Sequence, residues 1–138
     1  MNIQYSDIQV GDELPALQLP AINRTTLALY CGASGDHNPI HIDIDFARKA
    51  RMPDVFAHGM LSAAYLGRLL TQWVPQQQVR SFSMRFTGIT QLGHTPTCTG
   101  KVEEKFEANG EKLVRLAIRC ANQYGEDKLL GEAVVALA

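Results

Sequence analysis

The segment Gly35-Asp36-His37-Asn38-Pro39-Ile40-His41 gathers a carboxylate, two imidazoles and an amide around one proline. Ser34, Asp43 and Asp45 extend the polar run on either side. Three readings of these residues compete. The plainest is a polar connection in which Asp43 caps the next helix. A metal site is the second: His37 and His41 stand four apart, as do the ligands of a His-Glu-x-x-His helix. That spacing needs an unbroken helix, and Pro39 both lacks an N–H and disfavours helix at Asn38. A calcium loop fails too, because no glycine and terminal glutamate follow at the required spacing. The third reading is a carboxylate–imidazole pair. Asp36 and His41 flank the Asn38-Pro39 turn, which can bring both to one water for general acid–base work. Ser34 lacks the strained Gly-x-Ser-x-Gly setting of an activated nucleophile.

A second element of chemistry sits at His58-Gly59-Met60. Gly59 falls at the start of the longest helical pattern in the chain. The first N–H groups of a helix have no partner inside it, and that end of the dipole is positive. A glycine there lets a ligand approach the backbone, which makes an oxyanion site. The alternative is that Gly59 only permits a close turn.

These residues need elements to hold them. Residues 10–20, with Val10, Leu14, Leu17 and Leu19, read as a short strand. Residues 23–33 read as a short helix with Asn23 as N-cap and Gly35 as stop. A second helix follows Asp43 and ends at Pro53. Residues 57–74 form the longest helix, apolar around most of its circumference and so expected to be wrapped by other structure. After Pro75 the period changes to two: Phe82, Met84 and Phe86 alternate with polar residues, as do Val114, Leu116, Ile118 and Cys120. Leu130 to Leu137 is a last strand, and Asn109-Gly110 signals a two-residue hairpin. The expectation is an α+β domain whose C-terminal half is an antiparallel meander around one long central helix.

Composition narrows the function classes. The 138 residues suit one domain, and a net charge of −1 with no basic stripe points away from nucleic acid. Cys31, Cys98 and Cys120 are far apart and odd in number, which reads as reduced structural thiols in a cytoplasmic protein. The amino-terminal residues lack the charged and apolar regions of a signal peptide. His58, Ser62, Tyr65 and Arg68 interrupt the most apolar stretch, so no membrane span is expected.

Ala33-Ser34-Gly35-Asp36-His37-Asn38-Pro39-Ile40-His41, then Phe46-Ala47, then Ala57-His58-Gly59-Met60-Leu61, resembles the signature of the MaoC-like (R)-specific enoyl-thioester hydratases and dehydratases. The match is close within residues 30–66 and loosely spans the chain, including Arg85-Phe86 and Gly93. The resemblance implies a single hot-dog domain over residues 1–138. It further implies a dimer, usually of two identical chains and in some cases of two different ones. It implies Asp36 and His41 as the catalytic pair on one water, the Gly59 N–H as oxyanion donor, and Asn38, Ser34 and His58 in support. The substrate it implies is an acyl-CoA or an acyl thioester on a carrier protein. That substrate brings its own CoA or phosphopantetheine, so neither cofactor nor metal is expected. A non-catalytic thioester-binding subunit and a hot-dog thioesterase are the alternatives. Three positions depart from the family pattern: His37, Ile44 where many relatives have proline, and His94 where an acidic residue is frequent.

Overall fold

The computed structural model describes residues 2–138. Three helices, α1 (Arg24–Ser34), α2 (Ile44–Lys49) and α3 (Gly59–Trp73), accompany five strands. The strands are β1 (Leu17–Gln18), β2 (Val79–Phe86), β3 (Thr97–Ala108), β4 (Glu111–Ala121) and β5 (Asp127–Leu137). They form one antiparallel sheet in the order β1-β3-β4-β5-β2.

The helix boundaries follow local chemistry. The Asn23 side chain accepts a hydrogen bond from the Thr26 N–H at 2.8 Å, which caps α1 as expected. Gly35 ends α1 with φ of +76°, a left-handed conformation that costs glycine nothing. Asp43 caps α2 by accepting from the Asp45 and Phe46 N–H groups. That helix stops at Lys49, ahead of Pro53, where Arg51 turns left-handed at φ of +65°. Asn109 and Gly110, both at positive φ, make the hairpin between β3 and β4.

Three expectations are corrected. The strand over residues 10–20 shrinks to Leu17–Gln18, with Glu13 adding one isolated bridge to Lys101. Pro15 and Pro20 bracket it and withhold the N–H groups a longer ladder needs. The meander is β3-β4-β5 alone, because β2 pairs with β5 at the far edge and leaves its own outer edge open. Nor is α3 wrapped all round by its own chain. Leu61, Ala63, Leu66, Leu69 and Leu70 are buried, whereas Met60 and Ala64 face outward.

Two cores result. The larger packs Leu66, Leu69 and Leu70 of α3 against Leu116, Ile118, Leu129 and Val135 on the inner face of the sheet. The smaller joins Leu27 of α1, Ala47 of α2, Val55, Ala57 and Leu61 of α3. This second core fixes the loop between α1 and α2 against the start of α3. All three cysteines are buried and unbridged, with Cys98 facing Cys120 across β3 and β4. Among the described residues, no helix is long and apolar enough to cross a membrane.

Leu66 has no exposed surface, so Leu66→Ala removes buried methyl groups and leaves a cavity. The expected cost is about 3 kcal/mol. In a urea melt this appears as a lower midpoint with an unchanged slope.

Candidate functional site

The polar loop is tied to itself before it is tied to anything else. The Asp36 N–H donates to Ser34 Oγ at 3.1 Å, and the Asn38 N–H donates to the Asp36 carboxylate at 3.2 Å. Asn38 Oδ1 accepts from the Ile40 N–H at 3.1 Å, capping the single 3-10 turn Pro39–His41. Pro39 at the first position of that turn loses no hydrogen bond. Ser34 and Asn38 therefore shape the loop through their side-chain oxygens.

The 3-10 turn drives His41 inward until only 8% of its surface is exposed. Its Nδ1 stands 2.7 Å from the Phe56 carbonyl oxygen. A carbonyl can only accept, so Nδ1 carries a proton and Nε2 is the nitrogen left without a protein partner. Asp36 stays at the surface, and His37 points into solvent.

His58 is buried to 1% exposure and does what the sequence did not specify. Its Nε2 lies 3.2 Å from the Asp36 carbonyl oxygen and 3.3 Å from Cys31 Sγ. By the same reasoning Nε2–H is the donor to Asp36. The ring stacks on His41 with centroids 3.8 Å apart and planes 24° apart, and it meets Tyr30 edge-on. Burial pulls the His58 pKa down, the Asp36 hydrogen bond opposes this, and the charge of His41 adds to the fall. His58 is therefore neutral. Burial, then Asp36, pushes the Cys31 thiol up, so it stays protonated and offers no nucleophile.

His58 is also the N-cap residue of α3, yet its side chain makes no capping bond. A serine or aspartate there would occupy the first N–H groups of the helix. His58 turns away to Asp36 instead, and the exposed amino end at Gly59 keeps its donors open. Asp36, His41 and Gly59 thus meet at one place through His58.

Asp36, His41 and His58 each offer a ligand atom within 4.8 Å of the others. No direct Asp36–His41 hydrogen bond forms among the described residues, but two bonds of about 2.8 Å through one water bridge such a gap. A metal suits the set less well. Imidazole lone pairs lie in the ring plane, and two stacked, nearly parallel rings aim them side by side and not at one centre.

Because burial lowers the His58 pKa, the unfolded chain takes up a proton that the folded chain resists. The stability contribution is complete above the unfolded value of about 6.5 and is lost as pH falls below it. His58→Asn is expected to flatten this acid-side loss. Urea midpoints measured at about pH 7.5 and 5.5 check this, and an unchanged pH dependence contradicts it.

Comparison with known proteins places this architecture. The family model described as MaoC like domain matches residues 8–121. The chain is similar to an (R)-specific enoyl-CoA hydratase of Rhodospirillum rubrum, 30% identical over 137 residues, covering 95% of this chain and 89% of the relative. It is also similar to fatty acid synthase subunit beta of Saccharomyces cerevisiae, 29% identical over 131 residues, covering 93% of this chain. The chain spans only 6% of that subunit's length. Among solved structures, R-hydratase PhaJ1 from Pseudomonas aeruginosa superposes with a TM-score of 0.84 at 32% identity, covering 99% of this chain and 86% of that one. An (R)-hydratase from A. caviae involved in PHA biosynthesis gives 0.81 at 27% identity, covering 95% and 98%. The hot-dog fold implied by the sequence resemblance is the fold observed, and the chain belongs to the MaoC-like domain family.

Proposed function

We propose that this chain is a hydro-lyase that adds water to trans-2-enoyl thioesters to give (3R)-hydroxyacyl thioesters, and catalyses the reverse. The observation that carries this reading is the placement of His41. The Phe56 carbonyl holds its Nδ1–H, and a ring nitrogen of His41 lies within 4.8 Å of an Asp36 carboxylate oxygen, close enough for one water to bridge them. The stereochemistry is taken from the relatives named (R)-specific.

In the hydration direction, Asp36 and His41 hold one water. His41 Nε2 draws a proton from it as the oxygen bonds to C3 and the C2=C3 electrons move toward the thioester carbonyl. The open N–H groups at Gly59 stabilise the enolate oxygen that results. A proton returned to C2 from the same pair closes the balance, and no cofactor or metal is required. Ser34, Asn38 and His58 hold the geometry. Cys31 is buried and protonated, so no thiol takes up the acyl group and the hydratase reading is favoured over an acyl-enzyme route.

The carrier is CoA or a phosphopantetheine protein. Relatives named for each occur, the second being the mitochondrial 3-hydroxyacyl-[acyl-carrier-protein] dehydratase of Arabidopsis thaliana at 25% identity. The working unit is proposed to be a homodimer. Among the described residues the outer edge of β2 is unpaired, and the part-exposed Phe82 and Phe86 lie on it beside Gly67 and Gly59 of α3. A second copy pairing edge to edge satisfies the ladder and covers that apolar surface. Size-exclusion with light scattering is expected to give twice the chain mass of 15.2 kDa.

The direct test mixes the protein with a short trans-2-enoyl-CoA and follows loss of the conjugated thioester absorbance. Asp36→Asn and His41→Ala are each expected to lower kcat by at least ~10²-fold. Near-wild-type turnover in both variants contradicts the assignment, and release of free CoA supports a thioesterase instead.

A further inference from the structure

Gly59 is a glycine for a reason its backbone does not supply. Its φ lies outside the left-handed region, unlike those of Gly35 and Gly110. A neighbouring ring occupies the place of any side chain, which would fit only if that ring moved. A Cβ at Gly59 would stand 2.8 Å from Cδ1 and 2.8 Å from Cε1 of Phe86. In a helix the Cα–Cβ bond leans toward the amino end, the end at which the first N–H groups lack partners. The Phe86 ring therefore overhangs the amino end of α3, beside the donors that His58 leaves open.

The backbone holds the ring there. Phe86 is the last residue of β2 and pairs with Leu129 of β5. The next residue is clamped: the Thr87 N–H donates to the Lys128 carbonyl at 2.9 Å, and its hydroxyl donates to the Asp127 carbonyl at 3.0 Å. Yet the side chain is 55% exposed and packs in none of the buried clusters. In the homodimer proposed above the ring lies at the seam between the two copies, and its face against Gly59 still borders whatever docks there.

We propose that Phe86 is a positioning residue for the hydration step: its ring walls the thioester carbonyl against Gly59 and keeps water from the free N–H groups of α3. This rests on the reading of Gly59 as the carbonyl donor. Donors act more strongly where water is excluded. The negative charge on the carbonyl oxygen develops only as the reaction proceeds, so this advantage is greater in the transition state than in bound substrate. Removing the ring should therefore lower kcat and spare KM.

The test compares the full wild-type chain with Phe86→Ala and Phe86→Leu on a short trans-2-enoyl-CoA. Thermal melting and size-exclusion on the same preparations report folding and assembly. Phe86→Ala is expected to lower kcat about 10-fold, less than the 10²–10³-fold seen when a whole oxyanion donor is removed, with KM within about 2-fold. Phe86→Leu should recover most of the loss, because a wall needs apolar bulk and not an aromatic ring. A kcat for Phe86→Ala within about 2-fold of wild type overturns the proposal. So does a loss confined to KM, a loss accounted for by unfolding or altered assembly, or a failure of leucine to rescue. Wild-type turnover that survives Asp36→Asn overturns the underlying reading of the site instead, whatever Phe86 does.

Discussion

The hydrogen bond from His58 to the Asp36 carbonyl joins two parts of the chain that would otherwise be independent. One is the loop carrying Asp36 and His41, and the other is the amino end of α3. A buried imidazole with a single strong acceptor has little freedom, and His58 also supplies the flat surface on which the His41 ring lies. The same side chain thereby ties the position of Asp36 and His41 to the amino end of α3. Its cost is one capping bond at the start of α3, which leaves the N–H groups of that helix end without a side-chain partner.

The rest of the fold serves that junction. The small core of Leu27, Ala47, Val55, Ala57 and Leu61 presses α1 and α2 onto α3, so the loop between the first two helices has nowhere else to lie. The Ala57 N–H donates to the Thr90 carbonyl, and Phe56 bridges to Gln91. These contacts anchor the Phe56 carbonyl that fixes the His41 tautomer. The sheet carries the burial energy through α3. Its edge strand brings Phe86 to the helix end.

Much of this was legible in the sequence wherever local chemistry decides the outcome. Asn23, Gly35, Asp43 and the Asn109-Gly110 turn act within four residues of themselves, and each does what its type dictates. The Asp36–His41 spacing around Pro39 was readable for the same reason. What depends on distant chain was not. Residues 10–20 carry strand-like apolar residues, but their length as a strand depends on which part of β3 lies opposite. The position of β2 beside β5 is a matter of sheet order, which alternation cannot convey. His58 looked like a minor support because its role needs Cys31, Asp36 and His41 in space together. Gly59 was open between ligand approach and close turn, and its neighbour proved to be Phe86, 27 residues further on.

Hydration in water enriched with oxygen-18 reaches the central claim most directly, since it follows the oxygen atom that Asp36 and His41 are held to activate. With a short trans-2-enoyl-CoA, heavy oxygen is expected on the C3 hydroxyl of an intact (3R)-hydroxyacyl thioester. Heavy oxygen in a free carboxylate, with the double bond retained, would show attack at the carbonyl and contradict that claim.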